Sequence, residues 1–350
     1  MRVKDTLLIC SLILLTAFGL NAADKPEAEV RALIKQVGST PPDWFQATPL
    51  RYPKTLDLSW KETPGAPWDP SKNVGQFIWT SINENESRWK EGIRFLHHLL
   101  VLNQKDPELS RKTMNALAHM YHNLHQDWAR AAFWWEQAGN TDNTDVAHCY
   151  FKLGSKAMAV RILEEYPADY TRHCSVARLW SEVGENEKAL KLAVERGEDD
   201  PHVGFLAAGD ICRAMARSQE ALGYYQKVLD RTTTDKGDAK QSKERARASI
   251  EAVKLVDTLD IKRVPDGTYR DSSVGYSGQV FVEVTVAGGR ISDVKVTRHT
   301  EKQWYSSITD TRRQILLKQG AKGVDATSGA TITSEAILNA TLKALAKGQK

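Results

Sequence analysis

Hydrophobic and polar residues follow two different periods along this chain. Between about residues 76 and 230, apolar residues recur three and four positions apart, which predicts amphipathic helices. After residue 264 the period changes to two, and the alternating apolar residues are Val280, Val282, Val284 and Val286. Such alternation predicts a strand with one buried face. The pattern therefore predicts a multidomain protein, in which an all-α array precedes a small α+β domain.

The helical part contains an internal repeat. Three sets of residues share one spacing, in which the second member lies three positions on, the third twelve on and the fourth four later. The sets are Ala147, Tyr150, Ala159 and Leu163; Ala177, Trp180, Ala189 and Ala193; and Gly209, Cys212, Ala221 and Tyr225. Small residues at fixed positions let antiparallel helices approach closely. Residues 76–230 thus resemble about four tetratricopeptide or Sel-like repeats, which offer a face to a partner or hold another element in place.

The C-terminal part reads as a β-hairpin followed by helices. Residues 287–290 (Ala-Gly-Gly-Arg) form the expected turn, and Ile291, Val294 and Val296 mark the returning strand. A helix is expected to begin near Ser307 and to close by Gly320, and a second apolar-periodic helix covers residues 337–345. The composition changes at residues 263–265, so we place the boundary of the last domain, residues 264–350, there.

Three other segments complete the predicted organisation. Residues 1–23 have a positive start, an uncharged apolar run and small residues at the end, which predicts a cleaved signal peptide. Retention as an N-terminal anchor is the alternative. Residues 24–75 are rich in Pro and Trp and predict an irregular lead-in with packed aromatic side chains, although carbohydrate binding by the tryptophans is open. Residues 231–263 predict a loop and a charged helical linker.

Charge and cysteine content narrow the function classes. The net charge is +4, from 48 basic and 44 acidic side chains without a basic cluster, so we expect no nucleic-acid partner. The mature chain keeps Cys149, Cys174 and Cys212, an odd number that leaves at least one thiol unpaired. His148 and His173 each precede a cysteine. Burial of the thiols as small apolar groups is the favoured interpretation, with a metal site as the open alternative.

The segment 324–334 concentrates hydroxyl groups before a helix. Gly329 permits an unusual backbone turn and close approach of a ligand. Free N–H groups at a helix start favour an anion, phosphate above all. From these properties alone, a phosphate site and a simple helix cap by Thr333 or Ser334 remain equally open. The five hydroxyl residues are Thr327, Ser328, Thr331, Thr333 and Ser334.

The pattern Asp325-x-x-Ser328-Gly329-Ala330-Thr331 resembles a known covalent-attachment motif. It is similar to the flavinylation motif of the FMN-binding domain in flavin-carrying subunits of sodium-pumping quinone reductases and Rnf complexes. In that family a flavin transferase takes FMN from FAD and joins its phosphate to the final threonine. The resemblance continues upstream, in order, through residues 266–269 (Asp-Gly-Thr-Tyr), 275–278 (Gly-Tyr-Ser-Gly) and 299–301 (His-Thr-Glu).

The resemblance implies a role for each matching residue. Thr331 would carry the phosphoester, and Asp325 would be recognised by the transferase. Ser328, Gly329 and Ala330 would shape the loop, with Thr333 and Glu301 as further cofactor-binding residues. The chain departs from the family after Glu301, where residues 302–305 (Lys-Gln-Trp-Tyr) replace the usual Thr-Pro-Gly loop. Trp304 or Tyr305 could stack on the flavin or simply pack.

These expectations define one function and two alternatives. The chain would be an exported, periplasmic or extracytoplasmic electron-transfer protein with covalent FMN, whose repeat array docks a redox partner or a membrane electron-transfer complex. A carrier is favoured over a stand-alone enzyme, and no catalytic residue or metal ligand is assigned. The first alternative is a helical-repeat scaffold that binds flavin weakly or structurally. The second is a flavin-dependent reductase of a small extracytoplasmic acceptor.

Overall fold

A computed structural model describes residues 24–61, 65–231, 237–256, 258–301, 306–322, 324 and 331–349. The first part is helical, and short π-helical segments extend α2 to Asn83 and α4 to His125. Its helices are α1 (Glu27–Gly38), α2 (Val74–Phe77), α3 (Trp89–Leu102), α4 (Pro107–Met120), α5 (Trp128–Gln137), α6 (Thr144–Lys152), α7 (Lys156–Leu163), α8 (Ser175–Glu182), α9 (Asn186–Asp199), α10 (Pro201–Ala214), α11 (Ser218–Asp230) and α12 (Gly237–Val256). The last part contains β1 (Gly267–Val274), β2 (Gln279–Ala287), β3 (Arg290–Arg298), α13 (Ser306–Lys318) and α14 (Thr331–Gly348).

Helices α4 to α11 pack as four consecutive hairpins. In three of them, the residues of the repeated sets lie where the helices meet, for example Ala147 on α6 and Leu163 on α7, both fully buried. Gly154 and Gly184 reverse the chain within two hairpins and adopt φ values of 104° and 87°, which glycine tolerates best. The predicted helical architecture is confirmed. The resemblance to tetratricopeptide or Sel-like repeats stays a prediction.

The lead-in is more regular than its composition predicts. Residues 24–75 contain the twelve-residue helix α1, which packs against α5 and buries Val30 and Ile34. Trp44 stacks on the ring of His125, and Trp60 is buried in the same core. These tryptophans therefore pack against the helical array. Among the described residues, no helix has both the length and the apolar character needed to cross a membrane.

The C-terminal sheet has three antiparallel strands in the order β1-β2-β3. The predicted hairpin of β2 and β3 is confirmed, and Gly288 and Gly289 turn the chain with φ values of 61° and 69°. Strand β1 was not predicted, because its sequence (Gly-Thr-Tyr-Arg-Asp-Ser-Ser-Val) has no alternating apolar pattern. The face of β2 that carries Val282 and Val284 forms a core with α14 that is separate from the core of the array.

Helix α14 lies between the sheet and α12, the last helix before the sheet. It packs on β1 and β2 on one side, on α12 on another and on α13. Its burial on several sides explains its nearly continuous apolar and small residues. The helix begins at Thr331, six residues before the predicted start at Ile337. The first turn of α14 therefore brings the motif's last residue to the junction of the two parts of the chain.

Candidate functional site

Three hydroxyl side chains lie in the first turn of α14, and they have different surroundings. The Thr333 hydroxyl is buried and donates to the carboxylate of Glu301. The Ser334 hydroxyl is fully buried and accepts a hydrogen bond of 3.0 Å from Thr311. Both residues lie inside the helix, at its third and fourth positions, so neither occupies the N-cap position. Thr331 is half-buried, and its hydroxyl has no hydrogen-bond partner among the described residues.

Glu301 connects this turn to the loop between β1 and β2. Its carboxylate is only 4% exposed and accepts hydrogen bonds from the backbone N–H groups of Tyr276 (3.1 Å) and Ser277 (2.9 Å) as well as from Thr333. Of the predicted site residues, the structure thus brings Glu301, Thr333 and Thr331 together. The contacts of Glu301 are to the protein itself, so it positions the loop and the helix start.

The loop 275–278 lies close against residues 300–301 because two of its residues are glycines. A Cβ atom on Gly275 would lie 2.6 Å from Oε1 of Glu301, and one on Gly278 would lie 2.5 Å from Oγ1 of Thr300. Both distances are shorter than side chains tolerate. The glycines of this segment therefore allow the backbone to approach residues 300–301.

Helix α12 holds the other side of the same loop. Arg245 donates to the carbonyl oxygens of Gly275 (3.0 Å) and Tyr276 (3.1 Å), and Gln241 donates to that of Tyr276 at 2.8 Å. Sequence reasoning did not find these two residues, because they lie in a charged helix that shows only the general pattern of a solvated face. No local signal distinguishes Arg245 from its charged neighbours.

The array also contacts the start of α14 directly. Arg213 on α10 donates to Glu335 (2.7 Å) and Asn339 (2.8 Å), both on α14. Burial raises the pKa of Glu335 although Arg213 opposes this shift. A buried carboxylate needs such a partner, since an unpaired one is costly. This pair therefore fixes α10 against α14 one turn beyond Thr331.

Two cavities flank the first turn of α14. One of about 540 Å³ lies between α8, α10, α12 and α14 and is bordered by Thr331. The other, of about 690 Å³, is bordered by the next residue, Ile332, and by Tyr276. Both volumes fall within the range of small-molecule and cofactor sites. The space beside Thr331 is therefore large enough for a flavin ring system.

The remaining motif residues, Asp325, Ser328, Gly329 and Ala330, lie outside the described residues, as do Trp304 and Tyr305. Their predicted roles stay predictions. The fit of FMN therefore depends here on Thr331, on its cavity and on the long helix that begins at this residue.

His148 and the three cysteines are buried in the array, whereas the partly buried His173 lines the larger cavity and contacts the ring of Tyr276. His148 lies 2.8 Å from His122 through their ring nitrogens and 3.3 Å from Glu182. Cys149, Cys174 and Cys212 are buried and free. Burial raises the pKa of the Cys174 thiol to about 12 and that of Cys212 to about 11. In the described part of the chain, no group of three or more acidic, His or Cys side chains could hold a metal ion.

Comparison with known proteins adds to this geometry. Residues 275–346 match the family model of the FMN-binding domain. An uncharacterized protein of Treponema pallidum (strain Nichols) is 35% identical over 85 residues, which are 24% of this chain and 24% of that protein. The match thus spans about a quarter of the relative's length. No solved structure matches the chain significantly. The family match supports an FMN-binding domain at the C-terminus and, with it, a flavoprotein.

Proposed function

We propose that this protein is an exported electron-transfer protein that carries FMN through a phosphoester to Thr331. One observation carries the choice of residue. The hydroxyls of Thr333 and Ser334 are buried and engaged, whereas that of Thr331 borders a cavity of about 540 Å³. Among these three side chains, Thr331 is the accessible nucleophile for a flavin transferase that uses FAD.

The chain's own residues would hold the phosphate and the ring in place. Thr331 is the first residue of an 18-residue helix, and the positive end of a helix dipole stabilises a phosphate. Glu301 and Arg245 hold the neighbouring loop from opposite sides. When bound, the flavin supplies one- or two-electron transfer, while the protein supplies orientation and electrostatics.

The array would serve as the docking part of the molecule. Helix α10 of the array and the linker helix α12 contact the FMN-binding domain through Arg213 and Arg245, so this side holds the flavin domain. We propose that the outer surface of the array docks a redox partner protein or a membrane electron-transfer complex. Export is proposed from residues 1–23, which would place this exchange in the periplasm or another extracytoplasmic space.

The attachment can be tested by co-expressing the exported full chain with a flavin transferase. A denaturing gel of the wild-type protein should show a fluorescent flavin band, because a phosphoester survives denaturation. Thr331→Ala should abolish the band, whereas Thr331→Ser should retain it because the hydroxyl is kept.

Thr333→Ala is the matched control, since it removes a hydroxyl two residues away that the structure engages with Glu301. Its band should persist. A wild-type chain without a band, or a band that survives in Thr331→Ala, would contradict covalent attachment at this residue and favour the scaffold with weakly bound flavin.

A further inference from the structure

The cavity of about 540 Å³ beside Thr331 has walls from both parts of the chain. One wall belongs to α14, where Thr331, Glu335 and Leu338 follow each other at intervals of four and three residues and so share one face of the helix. The opposite wall belongs to the helical array. Its members include Ser181, Asn186, Asp210, Ile211, Arg213 and Ala214.

The charged groups of the array wall already have partners. Arg178 pairs with Asp210 at 2.7 Å, and Arg213 pairs with Glu335 across the cavity border at 2.7 Å. Glu182 has a cationic partner on α6. Since these charges are balanced in pairs, this wall is better suited to an uncharged ring than to a free anion. Sites for such ligands combine apolar surface with a few polar groups.

Both kinds of group are present around this cavity. Ile211 on α10, Val253 on α12 and Leu338 on α14 border it and are each at most 3% exposed. Ser181 donates to Oδ1 of Asn186 at 2.8 Å, which holds the amide in place. Within the described part of the chain, the Nδ2 group of Asn186 donates to no acceptor. A flat ring with carbonyl oxygens would supply both apolar contact and that acceptor.

We propose that the helical array forms one wall of the flavin site, so that the isoalloxazine ring lies between Asn186 and Ile211 of the array and Leu338 of α14. This inference rests on the function proposed above, because attachment at Thr331 places the phosphate at the border of this cavity. The larger cavity is bordered by Ile332 and not by Thr331. The array would therefore shield the ring from solvent in addition to docking a partner.

The test measures how strongly iodide quenches the flavin fluorescence of the flavinylated full chain. Quenching in the wild type should be about threefold or more weaker than that of free FMN, because such sites bury about 70–90% of a ligand's surface. Ala214→Trp should remove most of this protection. Ala214 is exposed at the end of α10 and lines the cavity, so an indole there would fill space that the ring needs.

Asn186→Ala is a second variant, which removes the amide and leaves the apolar surface in place. The flavin absorption maximum should shift, because a hydrogen bond to the ring is lost. Ala32→Trp is the matched control, since Ala32 is an exposed residue of α1 that does not line the cavity. Its quenching should equal that of the wild type, and melting curves should show which variants are folded.

Two results would overturn the proposal in the flavinylated chain. One is quenching of the wild type as strong as that of free FMN. The other is a wild-type level of quenching in Ala214→Trp, which would place the ring elsewhere. If Ala214→Trp does not fold, the absorption of Asn186→Ala decides, and an unchanged spectrum would overturn the array wall.

A wild-type chain without a fluorescent band would contradict attachment at Thr331 but would still allow the cavity to be tested. In that case free FMN is offered to the unmodified full chain in equilibrium dialysis. Binding by the wild type and by Ala32→Trp that is about tenfold or more weaker in Ala214→Trp would support the array wall. Absence of binding by the wild type, or equal affinity in Ala214→Trp, would overturn it. Failure of the attachment and failure of the array wall therefore give different results.

Discussion

The hydrogen bonds of Glu301 join two segments that are far apart in sequence. Its carboxylate is buried and accepts from the N–H groups of Tyr276 and Ser277 and from the hydroxyl of Thr333. Without this acceptor, the buried hydroxyl of Thr333 and two amides of a partly exposed loop would lose a charged hydrogen-bond partner, and each such bond contributes about 1.5–3 kcal/mol. The position of the first turn of α14 relative to the loop therefore depends on this side chain.

Glu301→Ala should expose the loop 275–278 to exchange. The amides of Tyr276 and Ser277 lose their acceptor, so local opening should become easier by about 3 kcal/mol and exchange roughly a hundredfold faster. Hydrogen–deuterium exchange of the peptide containing these residues measures the change.

Glu283→Ala is the control for that measurement. Glu283 pairs on the sheet with Arg270, whose side chain is largely exposed, and such pairs contribute at most about 1 kcal/mol. Loop protection in this variant should match the wild type. Equal protection in Glu301→Ala would show that the carboxylate does not hold the loop.

Close packing of helix pairs depends on small residues at particular positions. On α10, Gly209 faces the ring of Tyr225 on α11, and a Cβ atom there would lie 2.4 Å from a ring carbon. The ring cannot move away easily, because it is fully buried and its hydroxyl donates to Asp210 at 2.8 Å. Asp210 also pairs with Arg178, so one contact joins α8, α10 and α11.

Gly209→Ala should therefore destabilise the array by about 1–3 kcal/mol through overpacking. Gly223→Ala on α11 is the matched control: it makes the same chemical change in a helix, but no atom lies within 4 Å of the added Cβ. That variant should be stabilised by up to about 1 kcal/mol, since alanine favours helix. Urea unfolding followed by circular dichroism compares them, and equal effects would contradict the packing argument.

Buried histidines make the stability of the whole molecule depend on pH. Burial lowers the pKa of His97, His122 and His125 from an ordinary value of 6.5 to about 4. Between these two values the unfolded chain binds more protons than the folded chain, so the free energy of unfolding decreases as the pH falls. Carboxylates with lowered pKa values, such as Glu27, add to this loss of stability only below about pH 4.5, the ordinary pKa of a glutamate.

We therefore expect the melting temperature to fall as the pH is lowered from about 6.5 towards 4. His122→Gln should reduce the steepness of this decrease, because it removes one of the buried histidines whose pKa is lowered. Calorimetric melts at closely spaced pH values provide the measurement. A constant melting temperature across this window would show that these histidines are accessible to protons in the folded state.

Structure that depends on residues close together in the chain could be predicted from the sequence. Periodicity alone located the array, its repeated small residues and the β2–β3 hairpin, because a helix or hairpin is determined within a few positions. The hydroxyl-rich motif pointed to Thr331 by its resemblance to a flavin-carrying family. Strand β1 was missed, since its residues pair through the backbone and lack an apolar alternation.

Only the tertiary structure decided which distant residues surround the motif. Arg213 reaches α14 across more than a hundred positions, and the arginines of the larger cavity come from three separate stretches of chain. Nothing in the local sequence marks these residues. An arginine that faces solvent and one that contacts a distant element can have similar neighbours along the helix. The sequence by itself thus determined the elements and the candidate attachment residue. The fold determined which hydroxyl is accessible and which side chains line the cavities beside it, because both depend on burial and on distances through space.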